Sequence, residues 1–156
     1  CSSSPSSWAP TWWRTPPIET NAILCRTAQH PAWMAASDGV YNVSHPHPRG
    51  YGCYARVLRR FVRQMGVLSL AQAVHRMSGY PAQRFGLSDR GQIAVGRAAD
   101  LVVLDPERIT DRSTWAEPRR SASGIEWVLV NGEPVVANGT PTGALPGRVI
   151  GRASPH

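Results

Sequence analysis

Lysine is absent: all 17 basic residues are arginine, against ten acidic residues, for a formal net charge of +7. A surplus of that sign raises nucleic-acid binding as a function class. The arginines, however, run from Arg14 to Arg152. The densest group, Arg56, Arg59, Arg60 and Arg63, falls on the polar side of one predicted helix. No basic patch is gathered, so a general preference for arginine over lysine accounts for the charge, and no nucleic-acid partner is expected. Cysteine is scarce too. Cys1, Cys25 and Cys53 are too few for a disulfide framework, and no two have C-x-x-C metal spacing. A reducing, cytoplasmic setting is expected. No apolar run approaches the ~18 residues of a membrane span, so no membrane partner is expected. With 42% apolar and 17% charged residues the chain is neither disordered nor collagen-like. At 156 residues it is about one domain, and it is too short for a closed (β/α)8 barrel, which needs ~200–250 residues.

Residues 1–17 mix Ser, Pro and Trp without helix or strand period and read as irregular. The chain starts with Cys1 rather than Met, which suggests a processed protein, a truncated or frameshifted reading, or a lipid-modified end on a Ser-rich tether. Order is expected from Ile18. Residues 20–29 suit a short helix broken at His30-Pro31. Residues 32–36 (AWMAA) are a short apolar run closed by Ser37-Asp38-Gly39, as in a strand buried on both faces. Residues 40–52 hold two Pro and two Gly and read as a loop. Residues 53–65 read as a helix with Val57, Leu58, Phe61, Val62 and Met65 on one face, stopped at Gly66. Ser69 and Gln72 have capping-box spacing and open a second helix. Pro81 suits the first position of a third, ending by Gly86. Short strands then follow at 92–95, 101–104, 125–130 and 134–137, the last two joined by Asn131-Gly132, a strong hairpin signal.

Asp38 is the first candidate for chemistry. A carboxylate where a buried strand meets its loop lies on the face where barrel active sites form. There it acts as a general base or a metal ligand; otherwise it is a turn residue opening Asp-Gly. His45 and His47 could share a metal on an extended backbone, but Pro46 and Pro48 alternate with them and no third ligand is near. Arg49, in the same loop, can grip a substrate carboxylate with two parallel hydrogen bonds, or it is simply solvated. His75 reads as a helix-surface histidine. Ser37 and Ser44 lie in no nucleophile motif. Gly91 and Gly96 bracket a strand rather than open a helix, so they cradle no phosphate.

Taken together, these residues resemble the N-acyl-D-amino-acid deacylases (D-aminoacylases) of the amidohydrolase superfamily. The resemblance runs from Ser37-Asp38-Gly39 through His47-Pro48-Arg49 with Tyr51-Gly52 and Gly66-Val67-Leu68-Ser69-Leu70. It continues over Pro81-Ala82-Gln83-Arg84-Phe85-Gly86-Leu87, Asp89-Arg90-Gly91-Gln92-Ile93, Gly96 and Ala99-Asp100-Leu101-Val102-Val103. It ends with Val130-Asn131-Gly132 and Thr142-Gly143-Ala144-Leu145-Pro146-Gly147-Arg148, covering about residues 20–150. The RGxIxxGxxADLVV segment is common to amidohydrolases generally; the HPRxYG segment and the Gly/Pro tail favour the deacylase branch. The resemblance implies an α/β fold: the C-terminal fragment of a (β/α)8 barrel over 18–86, strands of an accompanying β-sandwich over 87–150, and a tail at 151–156. It implies zinc as cofactor, with its main ligands outside this chain and Asp38 a possible further one. It implies that Asp38 takes a proton from metal-bound water and passes it to the leaving amine. Arg49 would pair with the substrate α-carboxylate, and His47 would shape the substrate-binding loop. The implied partners are a small N-acyl-D-amino acid and the missing N-terminal part of the barrel, so this chain alone is expected to be inactive.

The rival within the superfamily is a hydantoinase- or dihydroorotase-like cyclic amidase. The rivals outside it are a basic nucleic-acid-binding protein and a lipid-anchored binding module. A nucleic-acid binder would be retained on DNA with steep salt dependence. We expect this chain to elute from a DNA column without it, and we expect mass spectrometry to find Cys1 unmodified.

Overall fold

The computed structural model describes residues 18–150. The irregular segment expected at 1–17 and the tail at 151–156 lie outside them. The architecture is α/β, with helices in the first half and an antiparallel sheet in the second. Helix α1 (Ile18–Gln29) is followed by α2 (Arg49–Arg56), which runs directly into a π-helix (Val57–Gln64). Then come α3 (Leu70–Met77) and α4 (Gly79–Phe85). The strands β1 (Leu101–Leu104), β2 (Ile125–Val130), β3 (Glu133–Ala137) and β4 (Thr140–Pro141) pair in chain order as an antiparallel meander. Leu101 lies opposite Leu129, and Val128 opposite Val136. Among the described residues no helix is long and apolar enough to cross a membrane.

Local chemistry explains much of this. The Ser69 hydroxyl accepts from the Gln72 amide (3.1 Å) while the Gln72 side chain accepts from the Ser69 amide (2.8 Å). Two amide donors that a helix start leaves unsatisfied are thereby met. In the hairpin turn both Asn131 (φ 49°) and Gly132 (φ 85°) are left-handed, as a two-residue turn matched to the twist of its strands requires. Asp100 ties that turn down. Its carboxylate accepts from the Asn131 amide at 2.8 Å and also pairs with Arg90. Arg90 in turn holds the exposed Asp89 carboxyl below the usual carboxylate range.

Four expectations are corrected. Residues 32–36, expected as a strand, form none; the Ala35 amide reaches the Arg76 carbonyl at 3.4 Å, and the Arg76 guanidinium holds the carbonyls of Pro31 and Trp33. A buried parallel strand needs flanking strands, and among the described residues none lies beside this one. Residues 92–95 form no strand either: Ile93 is 90% exposed, and the segment stands between Gly91 and Gly96, both with positive φ. Pro81 occupies the third position of α4, whose start is Gly79. Finally, the helix expected at 53–65 begins at Arg49, and its second half is π-helical: the Met65 amide bonds the Arg60 carbonyl, five residues back.

That winding changes what the arginines do. Arg59 turns inward onto Asp111, whose side chain is only 6% exposed, and Arg56, itself still exposed, reaches the same carboxylate from the end of α2. Arg63 donates to the Pro106 carbonyl at 2.9 Å and to the Thr110 hydroxyl. The 105–111 segment is thereby pressed onto the helix. Ile109 is driven into the core with Ala28, Ala55, Val57, Leu58, Leu68 and Ala73, against which Trp33 and Phe61 pack edge to face at 6.4 Å. Ser69→Ala should cost about 1 kcal/mol by urea denaturation. Asp111→Asn, which strips the charge from a buried acceptor shared by two guanidinium groups, should cost about 1–3 kcal/mol.

Candidate functional site

The structure brings the two leading candidates into contact. Asp38 has φ 46°, a left-handed conformation that Asp tolerates better than most residues. The turn projects its carboxylate outward, 83% exposed. Arg49, in the first turn of α2, donates from Nη2 to Asp38 Oδ2 at 2.7 Å and from Nε to the Asp38 carbonyl at 3.0 Å. The expected two-point fork of Arg49 is therefore engaged along its Nε–Nη2 edge by Asp38 itself. The pair is exposed enough that its direct contribution to stability is ~0–1 kcal/mol; what it fixes is geometry.

Tyr41, which no sequence motif marks, helps to hold this turn. Its hydroxyl donates to the Gly50 carbonyl at 3.0 Å, and its ring meets Tyr51 edge to face at 5.6 Å. The residues after Asp38 are thus fastened to the start of α2. His47 sits behind Arg49. The Arg49 amide donates to His47 Nδ1 at 3.0 Å, so that nitrogen carries a lone pair. The His47 ring stands edge-on to Trp115 at 4.5 Å. Burial, with the Arg49 charge adding to it, lowers the His47 pKa; Asp38 opposes the shift. Both effects favour a neutral imidazole.

His47, Pro48 and Arg49 form one rim of an open groove of about 730 Å³, with Trp33, Phe61 and Trp115 among its apolar walls. Cys53 also lines it, donating to the Ala36 carbonyl; burial pushes its thiol pKa up, so it is not an activated nucleophile. His45 points away from Asp38: its Nε2 donates to the Trp115 carbonyl at 2.7 Å. His45 and His47 are therefore each engaged with the 111–119 segment. His75 is exposed on α3 near Tyr80. Among the described residues there is no group of three or more His, Cys, Asp or Glu that could hold a metal ion. A catalytic zinc wants about three protein ligands and an open position. The described residues do not fit that need, and Asp38 is at most one ligand of such a set.

Comparison with known proteins places this geometry in context. A family model described as "Amidohydrolase family" matches residues 24–136. An N-acyl-D-glutamate deacylase of Alcaligenes xylosoxydans xylosoxydans is 47% identical over 127 residues, covering 81% of this chain and 26% of that protein. The solved structure of a D-aminoacylase mutant with copper chloride superposes with a TM-score of 0.80 at 39% identity, over 84% of this chain and 28% of the other. That of an N-acyl-D-glutamate deacylase from Bordetella bronchiseptica, complexed with zinc and a phosphonate inhibitor, gives 0.71 at 45% identity, over 77% and 26%. The chain spans about a quarter of the length of the relatives it matches.

The lowered pKa of His47 has a direct consequence. Above the ordinary value of 6.5 the ring is neutral in both folded and unfolded chains. As pH falls below that value the unfolded chain takes up the proton first, so this contribution to stability is lost. Urea midpoints should therefore drop between about pH 7 and pH 5, and the drop should be smaller in His47→Gln.

Proposed function

Because this chain belongs to the amidohydrolase family, we propose that it is the C-terminal portion of a cytoplasmic, zinc-dependent N-acyl-D-amino-acid deacylase. Residues 18–86 then belong to the end of a (β/α)8 barrel and residues 87–150 to its β-sandwich. The observation that carries the reading is the pairing of Asp38 with Arg49 beside a groove with apolar walls, inside the stretch that matches the deacylases. The relatives' names supply the substrate class: N-acyl-D-amino acids such as N-acyl-D-glutamate. Zinc is named with the Bordetella relative; here its main ligands belong to the rest of the barrel, outside this chain.

The reaction is hydrolysis of an amide. The acyl carbon–nitrogen bond breaks, water adds its oxygen to the acyl carbon, and a carboxylate and a free D-amino acid leave. Asp38 accepts a proton from the attacking water and returns it to the departing nitrogen, a general-base and then general-acid role open to an exposed carboxylate on a fixed turn. Arg49 supplies recognition. Its Nε stays on the Asp38 carbonyl while the substrate α-carboxylate takes the place of the Asp38 side chain at Nη2. One guanidinium thus binds substrate and releases the base in the same exchange. His47, neutral and locked to the Arg49 amide, keeps that arginine in place.

The test is a chimera in which the last quarter of the Alcaligenes N-acyl-D-glutamate deacylase is replaced by this chain. It should hydrolyse N-acyl-D-amino acids, whereas the isolated chain should not exceed background with or without zinc. Asp38→Asn should cut kcat by at least ~10²-fold, and near-full kcat in that variant would end the catalytic assignment. Arg49→Lys should chiefly raise KM, since lysine keeps the charge but loses the planar fork. Esterifying the substrate α-carboxylate should remove most of the difference between Arg49 and Lys. An ester and a free acid responding alike would end the recognition assignment.

A further inference from the structure

The 37–46 segment forms no helix or strand, yet it leads into the residues proposed to bind substrate. Besides the local Tyr41 and Arg49 contacts, it is held from far along the chain. Arg119 donates from Nη2 to the Val43 carbonyl at 2.8 Å and from Nη1 to the Ser44 carbonyl at 3.0 Å. One planar guanidinium therefore spans two successive peptide units, a contact that fixes direction as well as distance. One residue further, His45 Nε2 donates to the Trp115 carbonyl; two beyond that, the His47 ring packs on the Trp115 ring. The Ser113 hydroxyl then donates to the Pro48 carbonyl at 3.0 Å. Gly52 is what admits it, because a Cβ there would collide with the Ser113 oxygen. Contacts from 113–119 thus recur along 43–52. The 105–111 stretch just before is anchored on the π-helix through Asp111 and Arg63.

We propose that the 113–119 segment is a brace for the substrate-binding loop, with Arg119 as its positioning residue. It touches no proposed reacting group; it acts by holding the backbone that carries His47 and Arg49. The inference rests on the deacylase reading only for what the loop binds. The brace itself follows from the hydrogen bonds.

Limited proteolysis of the 156-residue chain with chymotrypsin tests the brace without any activity. Cleavage after Tyr41 should quicken by at least about tenfold in Arg119→Ala, as local opening of the loop becomes easier. The urea midpoint should stay in place. Arg119→Lys, with one point of attachment, should fall between the two. Cleavage after Tyr41 at the wild-type rate would overturn the proposal. So would cleavage after Trp127 in the central strand rising in step with that after Tyr41, because Arg119 would then hold the fold as a whole. In the active chimera Arg119→Ala should raise KM several-fold with kcat within about twofold, the pattern of lost ground-state positioning. A fall in kcat at unchanged KM would overturn the positioning role. If the unsubstituted chimera is inactive, the deacylase reading fails while the proteolysis result still decides the brace.

Discussion

A single buried carboxylate organises the join between the two halves of the chain. Asp111 lies on the 105–124 connection after β1, and Arg56 and Arg59 close on it from the helical side. Ile109 in the core and the Arg63 bonds to Pro106 and Thr110 reinforce it. The core is small and rich in alanine, and several large apolar side chains stay exposed, among them Ile93, Leu145 and Val149. A carboxylate with two guanidinium partners holds direction as well as distance. From that anchor the chain passes straight to Ser113, Trp115 and Arg119, so the shape of the loop bearing His47 and Arg49 depends on an ion pair that lines the same groove.

The π-helix is what makes the anchor reachable. An α-helical reading places four arginines opposite an apolar stripe and leaves them in water. Wider winding from Val57 onward turns Arg59 and Arg63 toward the 105–111 segment and keeps Val57 and Leu58 buried. Such turns recur at functional sites elsewhere because they re-aim side chains without breaking a helix. Here the side chains re-aimed are the ones that seat the brace.

Where a signal is local, the sequence carries it. The Ser69 capping box, the Asn131-Gly132 turn and the limits of β1 and β2 each follow from residues within a few positions of one another. Asp38 and Arg49 are legible as candidates because they share one loop, and the family likeness suggests the roles proposed for them. What fails has a common cause. The 32–36 and 92–95 segments read as strands, and a strand is completed by neighbours that residue pattern cannot supply. The start of α2 is hidden by Gly50 and Gly52, ordinarily helix breakers; Gly52 is present to admit Ser113. Trp115 and Arg119 carry no motif at all. Their meaning lies in contacts 70 and 76 residues away along the chain.

That separation bears on how the protein is made. A ribosome emits Val43 and Ser44 well before Arg119, and at ~5–20 residues per second the 76-residue interval lasts roughly 4–15 s. Throughout it the helices and the contacts within the loop can settle, but the loop with His47 and Arg49 lacks its hold from Arg119. The proposed binding loop thus takes its full shape late in synthesis, after β1 and the anchored connection have emerged. A nascent chain stalled before residue 119 would carry Asp38 and Arg49 on a loop without its brace from Arg119.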